Sequence, residues 1–163
     1  MRRFPAGVID PKLRANLWRY VFQCLLATLA LLVVLSAQDA LARLVVVAAI
    51  GSTAFVLFIM PHSEMATPKH TLGGYAIALA VGSAAGFFDA NATFTFALQG
   101  SLAAGVTMFL MAATNTEHAP AAGTALGVAA SGFSWSLMLF VASGVIALCV
   151  IHLLLKSRLV NLY

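Results

Sequence analysis

Two short polar stretches hold most of the side chains that could bind a small charged solute or move a proton. One runs from Pro61 to His70 (PHSEMATPKH) and the other from Thr114 to Pro120 (TNTEHAP), and together they carry three of the four histidines. Each lies beside helix-breaking proline, at Pro61 and Pro68 in the first and Pro120 in the second. Thr67 and Pro68 fit the N-cap and first position of a helix, whose unpaired N–H groups and positive dipole end then face back into the first stretch. Pro120 predicts a second helix start, with free N–H groups at about 122–124. Two helix N-termini facing one cavity suit a small monovalent inorganic anion, and Lys69 or a protonated His62, His70 or His118 strengthens that attraction. Ser63, Thr114, Asn115 and Thr124 add neutral hydrogen bonds, and Gly123 lies on the turn of helix that follows Pro120.

Glu64 and Glu117 oppose a purely anion-attracting surface. Beside histidines they form a candidate proton relay, so anion movement coupled to protons is chemically available. Simpler roles stand next to these. Lys69 can snorkel to lipid headgroups, and His62 and His70 can cap carbonyls left open by Pro61 and the loop. Metal ligation by His62, Glu64, His70, Glu117 and His118 is disfavoured, because none shows the i, i+3 or i, i+4 spacing that preorganises ligands on a helix. No metal and no cofactor is expected. No enzyme is expected either, since adjacency alone does not place the Ser63 hydroxyl on the His62 imidazole.

The elements that position these residues follow from composition. Hydrophobic residues make up 62% of the 163 positions and charged ones 9%, against about a quarter charged in soluble domains. That excludes a soluble globular protein and predicts an all-α, polytopic transmembrane helical bundle in the lipid bilayer. Apolar runs predict about five spans, at 17–35, 44–60, 71–88, 94–113 and 135–155, plus one short, partly inserted helix at 121–131. Residues 119–155 are too long for one crossing and short for two, and Gly132 with Ser134 divides them. The expected organisation is a basic N-terminal segment (1–16), a single transmembrane domain (17–155) and a C-terminal tail (156–163).

Arg2, Arg3, Lys12, Arg14 and Arg19 precede the first run, and Lys156 and Arg158 follow the last. The positive-inside rule therefore places both termini in the cytoplasm, and an even number of crossings results if the second polar stretch dips into the protein. A cleaved signal peptide with its site near Leu35-Ser36-Ala37 is the alternative. Trp18 and Tyr20 favour a retained, interface-anchored span. The net charge of +4 reads as an orientation signal, and nucleic-acid binding has no support. Cys24 and Cys149 fall inside apolar runs as small core residues. Asn91-Ala92-Thr93 matches a glycosylation sequon too close to the membrane for use.

Gly74, Ala78, Gly82 and Gly86 recur every four residues, and Gly123, Gly127 and Ser131 repeat the device. These ridges allow close helix packing and draw the two polar stretches together. Gly51-Ser52-Thr53 is either another packing site or a polar spot on a solute path.

Pro61-His62-Ser63 with Pro68-Lys69 and Gly73-Gly74, followed by His118-Ala119-Pro120-Ala121-Ala122-Gly123-Thr124-Ala125-Leu126, resembles the HPP family of small integral membrane proteins. The family is named for a His-Pro-Pro motif, in which Ala119 here replaces the first proline, so a rigid diproline turn does not carry over. The resemblance covers roughly residues 44–131. It implies four or more transmembrane helices and a transporter or channel for nitrite or a related small anion, an activity linked to members from chloroplasts and cyanobacteria. The basic start running into a span suits a bacterial inner membrane. A homo-oligomer is expected, because one small chain offers little wall for a pathway. The competing reading is a non-transporting membrane subunit that packs against a larger partner through the glycine ridges.

Overall fold

The computed structural model describes residues 18, 19, 21, 22, 44–88 and 93–162. Trp18, Arg19, Val21 and Phe22 are helical and exposed. The rest of the first predicted span lies outside the described residues, as do Cys24, the 35–39 region, the 89–92 return with its sequon and the basic segment 1–16. The described secondary structure is all helical: α1 (Leu44–Ile59), α2 (Pro68–Gly86), α3 (Thr93–Thr114), α4 (Ala119–Ser131) and α5 (Trp135–Leu155), with 3₁₀ turns at Glu64–Ala66 and Lys156–Arg158.

Proline and glycine set the boundaries. Pro68 takes the first turn of α2, where its missing N–H costs nothing. Gly132, at φ 74, separates α4 from α5, a left-handed conformation that favours a residue without Cβ. The Ser134 hydroxyl then caps α5 by accepting from the Leu137 N–H at 3.4 Å. Among the described residues, one uninterrupted helical stretch, Trp135–Arg158, is long and apolar enough to cross a membrane by itself, while Leu44–Ile59 and Leu98–Thr114 are shorter apolar helices.

The short helix α4 is the hub. It packs against α1, α2 and α3, and no residue from Pro120 to Ala130 is exposed. At 13 residues it is about 20 Å long, well short of a hydrocarbon core of about 30 Å. Both glycine ridges face inward to make this possible. A Cβ on Gly82 would lie 2.8 Å from the Ala125 carbonyl oxygen, and one on Gly86 would lie 3.0 Å from the Phe133 nitrogen. On the other side of α4, a Cβ on Gly127 would lie 2.8 Å from Val46 Cγ2. These ridge glycines are therefore used within the protomer. Among the described residues, nothing lies within 4 Å of a Cβ added at Gly51 on α1 or Gly105 on α3.

The two ends of the bundle differ in chemistry. At one end Phe87 stacks on Phe133 at 4.5 Å between ring centroids, and Phe133 meets Trp135 edge-on at 5.2 Å. Phe87, Phe88 and Trp135 are exposed there, as in an interfacial aromatic belt. At the opposite end both polar stretches meet the tail that follows α5. Pro61 cannot donate to the Leu57 carbonyl four residues back, and the Nδ1–H of buried His152 on α5 donates to that oxygen at 2.7 Å. The Leu162 N–H donates to the Ile59 carbonyl at 3.0 Å.

His152→Leu is accordingly expected to cost about 1–3 kcal/mol by orphaning the Leu57 carbonyl. The loss should shrink in a Pro61→Ala background, where residue 61 regains an N–H. A double-mutant cycle on denaturation in detergent measures the coupling, and equal losses in both backgrounds would refute the pairing.

Candidate functional site

The second polar stretch is built by the way α3 ends. Asn115 adopts φ 53, its N–H bonds to the Ala112 carbonyl and the Thr116 N–H reaches back to the Met111 carbonyl at 3.0 Å. This is the Schellman arrangement with Asn in the left-handed position that Gly usually takes. It reverses the chain so that His118 becomes the N-cap of α4. A Cβ on Gly74 of α2 would lie 3.0 Å from His118 Cβ, so the glycine admits the histidine into the helix seam.

His118 is fully buried and carries the site. Its Nδ1 lies 2.9 Å from the Met65 carbonyl oxygen of the first stretch, and its Nε2 lies 3.1 Å from Thr53 Oγ1 on α1. Thr53 Oγ1 is 2.7 Å from the Tyr75 hydroxyl on α2, and both hydroxyls also reach the Ala49 carbonyl, at 3.1 and 3.3 Å. The Tyr75 ring stands tilted against the imidazole, 5.6 Å between centroids. The Met65 carbonyl also accepts from the Thr71 hydroxyl at 3.2 Å. Thr53 is six residues before the end of α1, so His118 sits roughly 9 Å inside that helix's length at 1.5 Å per residue. One buried imidazole thus joins α1, α2, the first polar stretch and the start of α4. Thr53 belongs to the Gly51-Ser52-Thr53 segment that reads as either a packing site or a polar spot, whereas no motif in the sequence marks Tyr75.

The two stretches meet a second time nearer the surface. His70 Nε2 lies 3.6 Å from the Glu117 carboxylate, with the histidine mostly buried and the glutamate about half exposed. His70 Nδ1 is 2.7 Å from Thr67 Oγ1, whose hydroxyl also reaches the Glu64 carbonyl at 2.9 Å. Thr67 is the N-cap of α2 by position, yet its side chain makes no capping hydrogen bond, because those two neighbours engage it.

The remaining predicted residues are placed differently. The His62 N–H donates to Asn161 Oδ1 at 3.1 Å, and its Nε2–H donates to the Leu159 carbonyl at 3.1 Å. His62 therefore ties the first stretch to the C-terminal tail and does not cap the carbonyl opened by Pro61, which His152 takes. Ser63 Oγ is buried and has no hydrogen-bond partner among the described residues, His62 included. Glu64 and Lys69 are exposed. Thr114 and Asn115 are exposed as well, and the Thr114 hydroxyl turns back to the Leu110 carbonyl at 2.8 Å. Thr124 is fully buried, with its hydroxyl 3.5 Å from the Pro120 carbonyl. Gly123 lies 3.7 Å, measured from an added Cβ, from Ala49 Cβ.

The expected free N–H groups at 122–124 are a correction. Because α4 begins at Ala119, those groups fall within its own ladder, and the Ala121 N–H already bonds the His118 carbonyl at 2.9 Å. Pro120 has no N–H, so the helix start offers its unpaired donors nearer His118 and Ala119.

Beside the seam of α1 and α4 runs an open, mainly apolar groove of about 800 Å³, lined by Ala48, Gly51, Ser52, Phe55, Pro120 and Gly123 among others. Ala49, whose carbonyl takes part in the buried network, also lines it. One helix wall, α1 with the start of α4, thus stands between the polar network and the groove.

A family model described as HPP, transmembrane region, matches residues 12–161, nearly the whole chain. No curated protein and no solved structure matches the chain.

Proposed function

The chain belongs to the HPP transmembrane family and is an integral membrane protein, and from that premise we propose that it moves a small monovalent anion, nitrite foremost, across a bacterial inner membrane as a transporter or channel. One observation carries this reading: two helix breaks from separate parts of the chain converge on the buried His118, where the enclosed half-helix α4 begins. Broken helices that meet inside a bundle supply backbone N–H groups and a positive dipole end where the lipid-facing surface supplies neither. His118, Thr124 and the α4 start form the inner part of the proposed site. His70, Glu117, Thr114 and Lys69 form its rim, with Glu117–His70 as the proton-accepting pair. In this reading both termini and the His62 end are cytoplasmic, the aromatic end is outside, the chain works as a homo-oligomer, and it catalyses no reaction.

The groove beside α1, with Gly51 and Gly105, where an added Cβ meets none of the described residues, favours a second reading, a non-transporting subunit that docks on a larger membrane partner. Nitrite flux into proteoliposomes, at two pH gradients and with nitrate and chloride as competitors, separates the two. Flux above that of empty liposomes supports transport. Its absence for every anion, from folded and inserted protein, transfers the reading to the subunit.

A further inference from the structure

The network around His118 contains three protons to donate and a fixed direction in which to donate them. The Met65 carbonyl can only accept, so the imidazole proton sits on Nδ1. In the neutral ring Nε2 is then an acceptor, and the one donor facing it is the Thr53 hydroxyl. The short contact of Thr53 Oγ1 with the Tyr75 hydroxyl is next in line, with the phenol donating. The order is Tyr75 to Thr53 to His118 to Met65. All three side chains are buried, where an unpaired donor or acceptor is costly.

A second proton reverses part of this chain without moving a heavy atom. With Nε2 protonated, Thr53 Oγ1 accepts from it, and the Thr53 hydroxyl rotates to the Ala49 carbonyl, already 3.1 Å away. The Tyr75 hydroxyl has the same carbonyl at 3.3 Å. Every partner for both protonation states is in place.

We propose that Thr53 and Tyr75 are positioning residues that act through His118: their hydroxyls hold the imidazole as the Nδ1–H tautomer and let it take up and release a proton by rotation of O–H bonds alone. The proton is taken from water and returned to it. Besides Tyr75, the ionisable groups on the segments around His118 are Lys69 and His70 on α2, Glu117 in the break and Glu64 on the 3₁₀ turn; α1, α3 and α4 carry none. The consequence for flux rests on the transport reading above, whereas the tautomer does not.

The two hydroxyls affect proton uptake in opposite senses. Thr53→Val removes a charge-assisted acceptor from the imidazolium and a weaker, neutral donor from the uncharged ring, so the second proton binds at lower pH. Tyr75→Phe releases the Thr53 hydroxyl from its orientation toward Nε2, which weakens the neutral form, so the proton binds at higher pH. Each shift is expected to be about 0.5 to 1 pH unit.

The test is nitrogen NMR of the full chain in lipid nanodiscs, labelled at its four histidines, with His118 assigned by its loss in His118→Gln. The expected results are a protonated Nδ1 and bare Nε2 in the wild type, opposite shifts in Thr53→Val and Tyr75→Phe, and wild-type behaviour in Thr53→Ser. A protonated Nε2 in the neutral wild type, or shifts of the same sign, would overturn the proposal, and the wild-type tautomer decides this even if a variant does not fold. In proteoliposomes the pH midpoint of flux should move with that of His118. A midpoint that stays fixed while the ring shifts overturns the link to flux. Absence of all flux overturns the transport reading and leaves the tautomer standing.

Discussion

Replacing His118 by Ala is expected to reduce nitrite flux to the level of empty liposomes, a loss of at least about tenfold, or about 1.4 kcal/mol in the barrier. The imidazole bonds both the Met65 carbonyl of the first polar stretch and Thr53 of α1. Removing it leaves the Met65 carbonyl and the Thr53 hydroxyl without that partner inside the bundle, at about 1–3 kcal/mol for each group left unsatisfied. Part of the loss therefore comes from loosening the break that holds the site. His118→Gln separates the effects, since an amide offers one donor and one acceptor in similar positions but cannot take up a proton. The Gln variant is expected to purify as folded protein, to transport weakly and to show no pH response. Unchanged flux in both variants would remove His118 from the pathway.

Gly82→Ala has the largest expected effect on folding. The new Cβ would stand 2.8 Å from the Ala125 carbonyl oxygen and 3.2 Å from Ala125 Cα. These are backbone atoms of the central helix, so no side chain can rotate away. The expected cost is about 1–3 kcal/mol of overpacking, even after the roughly 1 kcal/mol that Ala gains over Gly in helix propensity. Gly82→Leu should leave no folded protein. Gly51→Ala is the control, because an added Cβ there meets nothing within 4 Å among the described residues, and it should be neutral or slightly stabilising. Thermal unfolding in detergent compares them, and equal midpoints for Gly82→Ala and Gly51→Ala would show that the α2–α4 seam is not tight.

Much of the fold is legible in the sequence because its punctuation is local. The predicted final span, 135–155, coincides with α5, and α1, α3 and α4 lie within two residues of their predicted limits. Pro61, Pro68, Pro120 and Gly132 act on their own backbone, so each marks a boundary wherever the helices go. α2 starts at Pro68 with Thr67 as N-cap, as the two residues predict, while the apolar run 71–88 begins three residues inside it.

The site was legible in one half. That His118 mattered, and that the glycine ridges draw the stretches together, follows from residue types and spacing. Its partners were not legible, because Thr53 is 65 residues away from His118 and 22 from Tyr75. A Thr or Tyr in an apolar span reads equally well as packing or as an interface anchor. The available signal was the pairing of Thr71 with Tyr75, four apart on one face of α2, opposite the polar spot at Thr53. His62 shows the converse error. It stands eight residues from His70, yet the bend at Pro61 turns it to a tail that no local pattern connects to it.

That tail has a consequence for how the protein is made. The end of α1 is completed by His152 and Leu162, which lie 95 and 103 positions further along the chain than the carbonyls they satisfy. At about 5–20 residues per second, they emerge from the ribosome roughly 5–20 s after α1 does. Throughout that interval the Leu57 and Ile59 carbonyls lack their final partners, and an unsatisfied carbonyl in hydrocarbon costs several kcal/mol. The newly inserted α1 must therefore keep this end at the water boundary, or against the insertion machinery, until the last helix arrives. Insertion and final assembly are separate events in the life of this chain, and a bulky fusion joined directly after Leu162 would interfere with the second while leaving the first intact.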